Sequence, residues 1–212
     1  EAPWAEELWR QLDEQCMQGG AGCEAIVIPH NSNLSGGQMF VPLSESFDAL
    51  SKEDAEWRER MEPLVEIYQH KGSSECTVGL GSPLDSEDEL CEFENVHKPL
   101  CTEENPADPD SCVPLCSERG GVGFLRQCVD PGDFVRTTWG MGLVEEARIQ
   151  ANPFRLGVIG STDSHNATPG AVAERTFRGH TGYNEDELEE GLEERLNINS
   201  AGGLAVIWAV EN

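Results

Sequence analysis

Basic side chains are scarce in this sequence. Its 212 residues include 14 Lys and Arg against 40 Asp and Glu, which gives a formal net charge of −26. A chain this acidic repels phosphate backbones and anionic lipid surfaces, so binding to nucleic acid or to a membrane through a basic patch is excluded. The acidity itself indicates solubility and does not identify a substrate.

Long hydrophobic runs are also missing. No stretch approaches the roughly 18 apolar residues that cross a bilayer, so no membrane span is predicted, and no signal peptide is visible. Hydrophobic residues make up 38% and charged residues 25%, a balance typical of folded globular proteins. Because the chain starts with Glu1 rather than Met and stops just after an apolar run, we expect it to be the C-terminal portion of a longer domain.

The eight cysteines contain no CxxC pair, which argues against a zinc ribbon or finger. Six of them lie between Cys76 and Cys128, in a stretch rich in Pro, Asp, Glu and Ser. An even count in a weakly apolar region favours disulfides, with free thiols and a structural metal as the alternatives. Disulfides would place the protein in the periplasm or outside the cell. We interpret 76–130 as a cysteine-rich loop insertion within a single domain covering 1–212.

Short apolar runs alternate with stretches of helical pattern. The runs, which predict strands, are 25–28, 64–68, 156–160 and 204–208. The helical patterns cover 4–16, 51–61, 133–149 and 185–196. This alternation predicts an α/β fold with parallel strands. Since a full eight-unit barrel takes about 250 residues, four units predict a partial β/α barrel.

Candidate metal ligands follow two of the predicted strands. His30 follows the first strand, and Asp163 and His165 follow the third, two residues apart. In parallel β/α folds, functional groups gather at the carboxyl ends of strands. Carboxylate oxygen with imidazole nitrogen suits Zn, Mn or Fe, and three ligands leave positions open for water. The alternative for each of these residues is an ordinary hydrogen-bonded place in a loop.

Weaker candidates surround these three. The residues predicted to bind substrate or to orient ligands are Asn31, Asn33, Glu66, His70, Lys71, Glu75, Asn166 and His180. Glu66 lies within an apolar strand, where it either faces the metal site or forms a structural pair. The alternative for the asparagines is turn geometry, and for the charged loop residues a solvated surface. We interpret His97, inside the insertion, as structural or exposed.

A series of motifs resembles one protein family. The motifs are, in chain order, Ile28-Pro29-His30-Asn31-Ser32-Asn33, Val65-Glu66-Ile67-Tyr68, Lys71-Gly72-Ser73-Ser74-Glu75, and Asn152-Pro153-Phe154 leading to Ile159-Gly160-Ser161-Thr162-Asp163-Ser164-His165-Asn166. Together they resemble the domain-of-unknown-function family 3604, one of the PHP-like (polymerase and histidinol phosphatase) metal hydrolases. The block around Asp163 is the most specific, and it resembles the last PHP metal motif. The resemblance covers nearly the whole chain and is weakest in 76–128.

This resemblance implies a distorted TIM-like barrel that holds two or three metal ions. Asp163 and His165 would be metal ligands, and His30 would be a third. PHP sites also use an N-terminal His-x-His motif, which is absent from the five histidines here. The alternatives are an incomplete site and a missing N-terminal part, and we prefer the second. In that case the isolated chain need not be active, whereas the longer protein would be.

The resulting prediction is a metal-dependent hydrolase that cleaves phosphoester or related ester or amide bonds of a small-molecule substrate. Asp163 would also act as a base towards the attacking water. The alternative is a non-catalytic exported binding protein that uses the insertion as its recognition surface on the same scaffold. A calcium site has no support, because no Asp-x-Asp-x-Asp-Gly loop is present.

Overall fold

The computed structural model describes residues 5–20, 22–80, 91, 93, 95–97, 100–101, 112–116, 128–173 and 202–208. The helices within this part of the chain are α1 (Ala5–Leu12), α2 (Lys52–Met61) and α3 (Val135–Ile149). The strands are β1 (Leu64–Gln69), β2 (Gly72–Ser73) and β3 (Gly157–Gly160). The predicted α/β class is therefore confirmed at the level of a mixed α/β protein. A barrel is not shown, since the described strands form one small sheet.

Strand β1 is the centre of this three-stranded sheet, whose order is β2-β1-β3. β3 runs parallel to β1 with Val65 opposite Val158, and β2 folds back antiparallel with Tyr68 opposite Ser73. The short β2 was not predicted from the sequence. It begins at Gly72, directly after the turn at His70 and Lys71, and the φ of 92° at Gly72 is readily adopted only by glycine. Because β1 and β3 are parallel, their carboxyl ends lie at the same edge of the sheet.

Two of the predicted strands are wrong. Residues 25–28 are extended but belong to no strand. The segment around these residues makes two backbone hydrogen bonds to α2 and β1, from Val27 N to Met61 O (2.8 Å) and from Glu66 N to Pro29 O (2.9 Å). Pro29 has no N–H group, so it cannot extend these contacts into a regular strand pairing. Residues 204–208 also form no strand, and Trp208 is 94% exposed. Apolar composition alone therefore overestimated the sheet. The predicted helix at 185–196 lies outside the described residues.

The predicted helices within the described part are confirmed, and their ends follow local signals. Ser51 caps α2 by accepting from Asp54 N (3.1 Å), while the Asp54 carboxylate accepts from Ser51 N (3.1 Å). This reciprocal pair satisfies two donors that the first turn would otherwise leave unpaired. Helix α1 continues into one wider π-helical turn, Asp13–Met17. None of the described helices is long and apolar enough to cross a membrane.

The main core packs against β1 and encloses an ion pair. Its buried side chains are Phe40, Val65, Val135, Phe154 and Leu156. The buried guanidinium of Arg58 lies 4.7 Å from the centre of the Phe154 ring and bonds Glu62 (Nε to Oε2, 3.1 Å). Because both charged partners are buried, removing one would leave the other without compensation.

All eight cysteines form disulfides, which confirms the preferred prediction over free thiols or a structural metal. The pairs are Cys16–Cys23, Cys76–Cys91, Cys101–Cys112 and Cys116–Cys128. Disulfides of this kind are consistent with a periplasmic or extracellular protein.

Candidate functional site

The site is centred on Asp163, which follows β3 at the edge where β1 also ends. Its Oδ2 accepts a hydrogen bond from Gln69 Nε2 (3.1 Å) and lies 3.0 Å from His70 Nε2. The Lys71 ammonium contacts the same oxygen. Gln69 ends β1, and His70 and Lys71 form the turn after it. The parallel pairing of the two strands thus brings together residues more than 90 positions apart.

Close packing of Gly202 fixes the backbone of the segment that contains Asp163. Asp163 has a φ of 49°, in the left-handed region that Asp tolerates better than most residues. Gly202 packs so closely here that a Cβ would lie 2.4 Å from Ser161 O and 3.2 Å from His70 N. Gly203 N then donates to Ser161 O (2.7 Å). Residues 161–163 are therefore clamped between the end of β1 and the 202–203 segment.

The electrostatics of the site keep Asp163 ionised. Burial alone would raise the pKa of this carboxyl, but the hydrogen bond and charge of Lys71, together with the interactions of His70, outweigh burial and lower the pKa below its usual value. The His70 side chain is almost fully buried, whereas that of Asp163 is 21% exposed. The result is a charged carboxylate that is partly exposed on one side and contacted by Gln69, His70 and Lys71 on the other.

His165 lies beside this carboxylate. Its Nδ1 is 2.6 Å from the backbone oxygen of Asp163, and its Nε2 is 4.0 Å from Asp163 Oδ1. The imidazole is mostly exposed. Asn166 Oδ1 accepts hydrogen bonds from Ser164 Oγ (2.5 Å) and from Thr168 N (3.3 Å) in the same loop. The predicted Asp163–His165 pair is thus adjacent in space, and Asn166 supports the turn that follows.

Glu66 lies buried in the middle of β1 and points to β3. Its Oε1 accepts a hydrogen bond from Ser161 Oγ. Its Oε2 is buried and has no hydrogen-bond partner in the described part of the chain. A carboxylate oxygen in that position is costly unless a cation, a proton or water satisfies it.

Asn33 makes several hydrogen bonds to residues 71–74. Its Nδ2 donates to Lys71 O (3.1 Å), its backbone N donates to Ser74 Oγ (3.2 Å), and Ser74 Oγ donates to Asn33 Oδ1 (3.1 Å). His97 Nε2 contacts Asn33 O, and the His97 ring meets the edge of Phe134. These contacts agree with a structural interpretation of His97 and make Asn33 a positioning residue for Lys71.

The remaining candidates lie at other places. Glu75 pairs with Arg136 of α3 (Oε1 to Nη2, 2.7 Å). Asn31 adopts a φ of 58°, and its Oδ1 is buried without a hydrogen-bond partner within the described residues. His30 is exposed and lines a groove that includes neither Asp163 nor His165. His180 lies outside the described residues.

A ready-made metal cluster is absent from the described part of the chain. Within it, no group of three or more His, Cys, Asp and Glu side chains is placed to hold an ion. The structure brings Asp163 together with His165, and also with His70 and Lys71. The assignment of His30 as a third ligand stays a prediction.

Two features of this region were missed from the sequence. Gln69 was not singled out, although its place at the end of β1, next to His70, was the available signal. The second feature is Asp133, fully buried before α3, which accepts from Ser35 Oγ (2.8 Å), Gly37 N (2.7 Å) and Asp130 N (2.9 Å). Burial raises its pKa to about 6, against the opposing effect of those hydrogen bonds.

These observations define a disulfide-linked, mixed α/β protein with a carboxylate–imidazole–ammonium cluster at the carboxyl ends of two parallel strands. Over residues 1–212 the chain matches the family described as Protein of unknown function (DUF3604), and it therefore belongs to that family. No curated protein matches the chain, and neither does any solved structure.

Proposed function

We propose that the protein is a metal-dependent hydrolase of the PHP-like kind, acting on a phosphoester or a related ester or amide bond of a small molecule. The observation that carries this proposal is the meeting of Asp163 with His70 and His165 at the carboxyl ends of β1 and β3. That edge is where parallel α/β enzymes place their chemistry. The proposal includes a distorted TIM-like barrel that extends beyond the three strands described.

The chemistry of the donor groups fits a divalent ion such as Zn, Mn or Fe. Asp163 and His165 would hold the ion, with His30 as the third ligand, because carboxylate and imidazole are the side chains these metals prefer. The buried, unpartnered Oε2 of Glu66 is an oxygen that a nearby cation would stabilise. In the described arrangement the Lys71 ammonium neutralises Asp163 instead, so an ion competes with that contact.

The chain's own residues account for the other parts of such a reaction. A bound divalent ion lowers the pKa of water and polarises the substrate oxygen. Hydrolysis then forms a bond from the water oxygen to phosphorus or to the carbonyl carbon, breaks the bond to the leaving oxygen or nitrogen, and leaves a proton on that group. Asp163, held ionised, can accept a proton from the attacking water. Lys71, partly exposed beside it, can stabilise negative charge on the leaving group.

A second candidate function is a non-catalytic exported binding protein. One specific observation favours it: Lys71, Gln69 and His70 already satisfy Asp163, and the described residues hold no group of three metal ligands. In that case the cluster would be structural, and the recognition surface would lie in the cysteine-rich insertion.

Metal binding separates the two candidates. The oxidised chain, stripped with chelator and then dialysed against Zn, Mn or Fe, is analysed by elemental mass spectrometry, together with Asp163→Asn, His165→Ala and His30→Ala. Asp48→Asn, at an exposed position, is the matched control. We expect near-stoichiometric metal in the wild type and the control, and at least tenfold weaker binding when Asp163 or His165 is replaced, because even the loss of groups that only orient metal ligands costs about 10–100-fold in affinity.

Activity is then assayed on p-nitrophenyl phosphate and p-nitrophenyl acetate with each metal. Metal-dependent hydrolysis that Asp163→Asn abolishes supports the first proposal. Unchanged metal content in His30→Ala would remove His30 from the ligand set. A wild-type chain that binds no ion and hydrolyses neither compound would refute the hydrolase and leave the binding protein.

A further inference from the structure

A concave surface separate from the Asp163 cluster includes His30 in its lining. It is a groove of about 750 Å³, which is within the size range of small-molecule pockets. Its walls come from the 27–30 segment, the 38–47 loop, α2 and the first residues of α1. The larger apolar side chains among its described lining residues are Val27, Ile28, Met39, Val41, Leu43 and Phe47. Asp163, His165, His70 and Lys71 are not part of it.

Among the described residues that line the groove, no Lys or Arg side chain is open to a ligand. Arg58 is buried, and all three of its nitrogens are engaged: Nε with Glu62, Nη1 with Val41 O (3.2 Å) and Nη2 with Met39 O (2.7 Å). The other charged lining residues are the acids Glu6, Glu45 and Glu62. His30, Gln38 and Ser44 also line the groove. The three carboxylates and the hydrocarbon still disfavour a phosphate or carboxylate, whereas an uncharged apolar group would lose little on entering.

The rim carries an exposed aromatic ring. Phe47 is 70% exposed and has a φ of 61°, which is unfavourable for a side chain of this size. The strained turn is closed by two backbone hydrogen bonds, from Ser44 N to Asp48 O (2.9 Å) and from Phe47 N to Ser44 O (2.9 Å). A ring presented in this way extends the apolar wall to the solvent and can cover a ligand in the groove.

The groove is joined to the site strand through the backbone. Glu66 N donates to Pro29 O, so His30, at the groove wall, follows directly after a residue bonded to β1. A molecule in the groove thus borders His30, which the proposed function includes as a metal ligand.

From charge, lining and connection together, we infer that the groove binds an uncharged apolar group of the substrate. This inference rests on the proposed hydrolase and names its substrate class: neutral carboxylic esters or amides with an aliphatic or aromatic acyl group, rather than small phosphorylated metabolites. The apolar group lies against Met39, Val41 and Leu43, and the acidic rim excludes anionic analogues.

Probe binding tests the groove without relying on catalysis. Fluorescence titration uses neutral N-phenyl-1-naphthylamine and anionic 8-anilino-1-naphthalenesulfonate on the wild type, on Leu43→Trp, which fills the groove, and on Leu143→Trp, at an exposed position of α3. We expect the neutral probe to bind the wild type and Leu143→Trp alike, and at least tenfold more weakly to Leu43→Trp. The anionic probe should bind the wild type more weakly than the neutral one does. If Leu43→Trp does not fold, Leu43→Glu, which adds a charge at similar volume, replaces it with the same expectation.

A ladder of p-nitrophenyl esters from acetate to octanoate tests the substrate class. With metal present, kcat/KM should rise by up to about fourfold for each added methylene, corresponding to about 0.8 kcal/mol, and Leu43→Trp should flatten the rise. Probe binding that Leu43→Trp leaves unchanged, or ester hydrolysis independent of chain length, would overturn the groove assignment while leaving the hydrolase intact. Probe binding as expected with no hydrolysis of any carboxylic ester would uphold the groove as an apolar binding site and refute the substrate class built on it. The hydrolase itself would be refuted only if p-nitrophenyl phosphate also stayed uncleaved.

Discussion

Asp133 makes the stability of this protein depend on pH in a direction opposite to that of most acidic side chains. The carboxyl is completely buried before α3, and burial raises its pKa from 3.8 to about 6. Between these two values the folded chain keeps a proton that the unfolded chain has lost. The stability that protonated Asp133 contributes is therefore fully present below about pH 4 and is lost as the pH rises to about 6.

The size of this effect follows from the same values. A difference of about 2 pKa units, at about 1.4 kcal/mol per unit, corresponds to about 3 kcal/mol of unfolding free energy. Most of the other acids also titrate in this range, so the contribution of Asp133 has to be isolated by comparison. Asp133→Asn stays neutral throughout. It can still accept from Ser35 Oγ and Gly37 N through Oδ1, while its Nδ2 would face the Asp130 N–H that now donates to Oδ2.

The assay is urea unfolding of the disulfide-intact chain, followed by tryptophan fluorescence, at steps from pH 3.5 to 7. We expect the unfolding free energy of the wild type, minus that of Asp133→Asn, to fall by about 3 kcal/mol across this range. Ser35→Ala removes a hydrogen bond that lowers the pKa of Asp133, so in that background the fall should extend to higher pH. A difference that changes by less than about 1 kcal/mol from pH 3.5 to 7 would refute the reasoning, since 1 kcal/mol is less than one pKa unit.

Three further perturbations test the packing. Replacing Arg58 by Met should lower the unfolding free energy in urea by about 3–5 kcal/mol, because the charge of Glu62 stays buried without its partner. Adding Glu62→Gln to this variant should restore a large part of the lost free energy. No recovery in the double variant would argue against the ion pair as the cause. Phe154→Ala should cost about 3–5 kcal/mol through the cavity left in the core, and a loss below about 1 kcal/mol would show that the ring is not packed as described. Replacing both Cys76 and Cys91 by Ser should cost about 3 kcal/mol, as expected for a loop of this length; an unchanged urea midpoint would contradict that pairing.

Local features of the fold could be predicted because their causes are local. The cap between Ser51 and Asp54 needs only a hydroxyl and a carboxylate three residues apart, and both were visible in the sequence. The apolar runs of β1 and β3 likewise formed strands. The run at 204–208 has the same composition and formed none, because a strand requires a partner that its own residues do not specify. The apolar run at 25–28 formed no strand for a different reason: Pro29, which follows it, has no backbone N–H to donate to a neighbouring strand.

The position of the candidate site could be predicted from the sequence better than the side chains that contact Asp163. Asp163 was expected at a strand end, and the parallel pairing of β1 with β3 brought it to His70. The choice between a metal ion and the Lys71 ammonium as its counter-charge could not be read from residue types, because a carboxylate accepts either, and the outcome depends on how far the lysine reaches. The groove beside His30 was equally invisible, since its walls come from segments whose packing is set only in three dimensions.

The four disulfides share one property that bears on how the protein is made. Each links a cysteine to the next one along the chain, over separations of 7, 15, 11 and 12 residues. Eight cysteines allow 105 pairings. In this one, each successive pair of cysteines along the chain forms its own disulfide. A chain that enters an oxidising compartment amino end first can close its rings in the order in which they emerge. If the protein is exported, each ring can be complete before the next pair arrives, so oxidation in order of emergence would give this set of pairs directly.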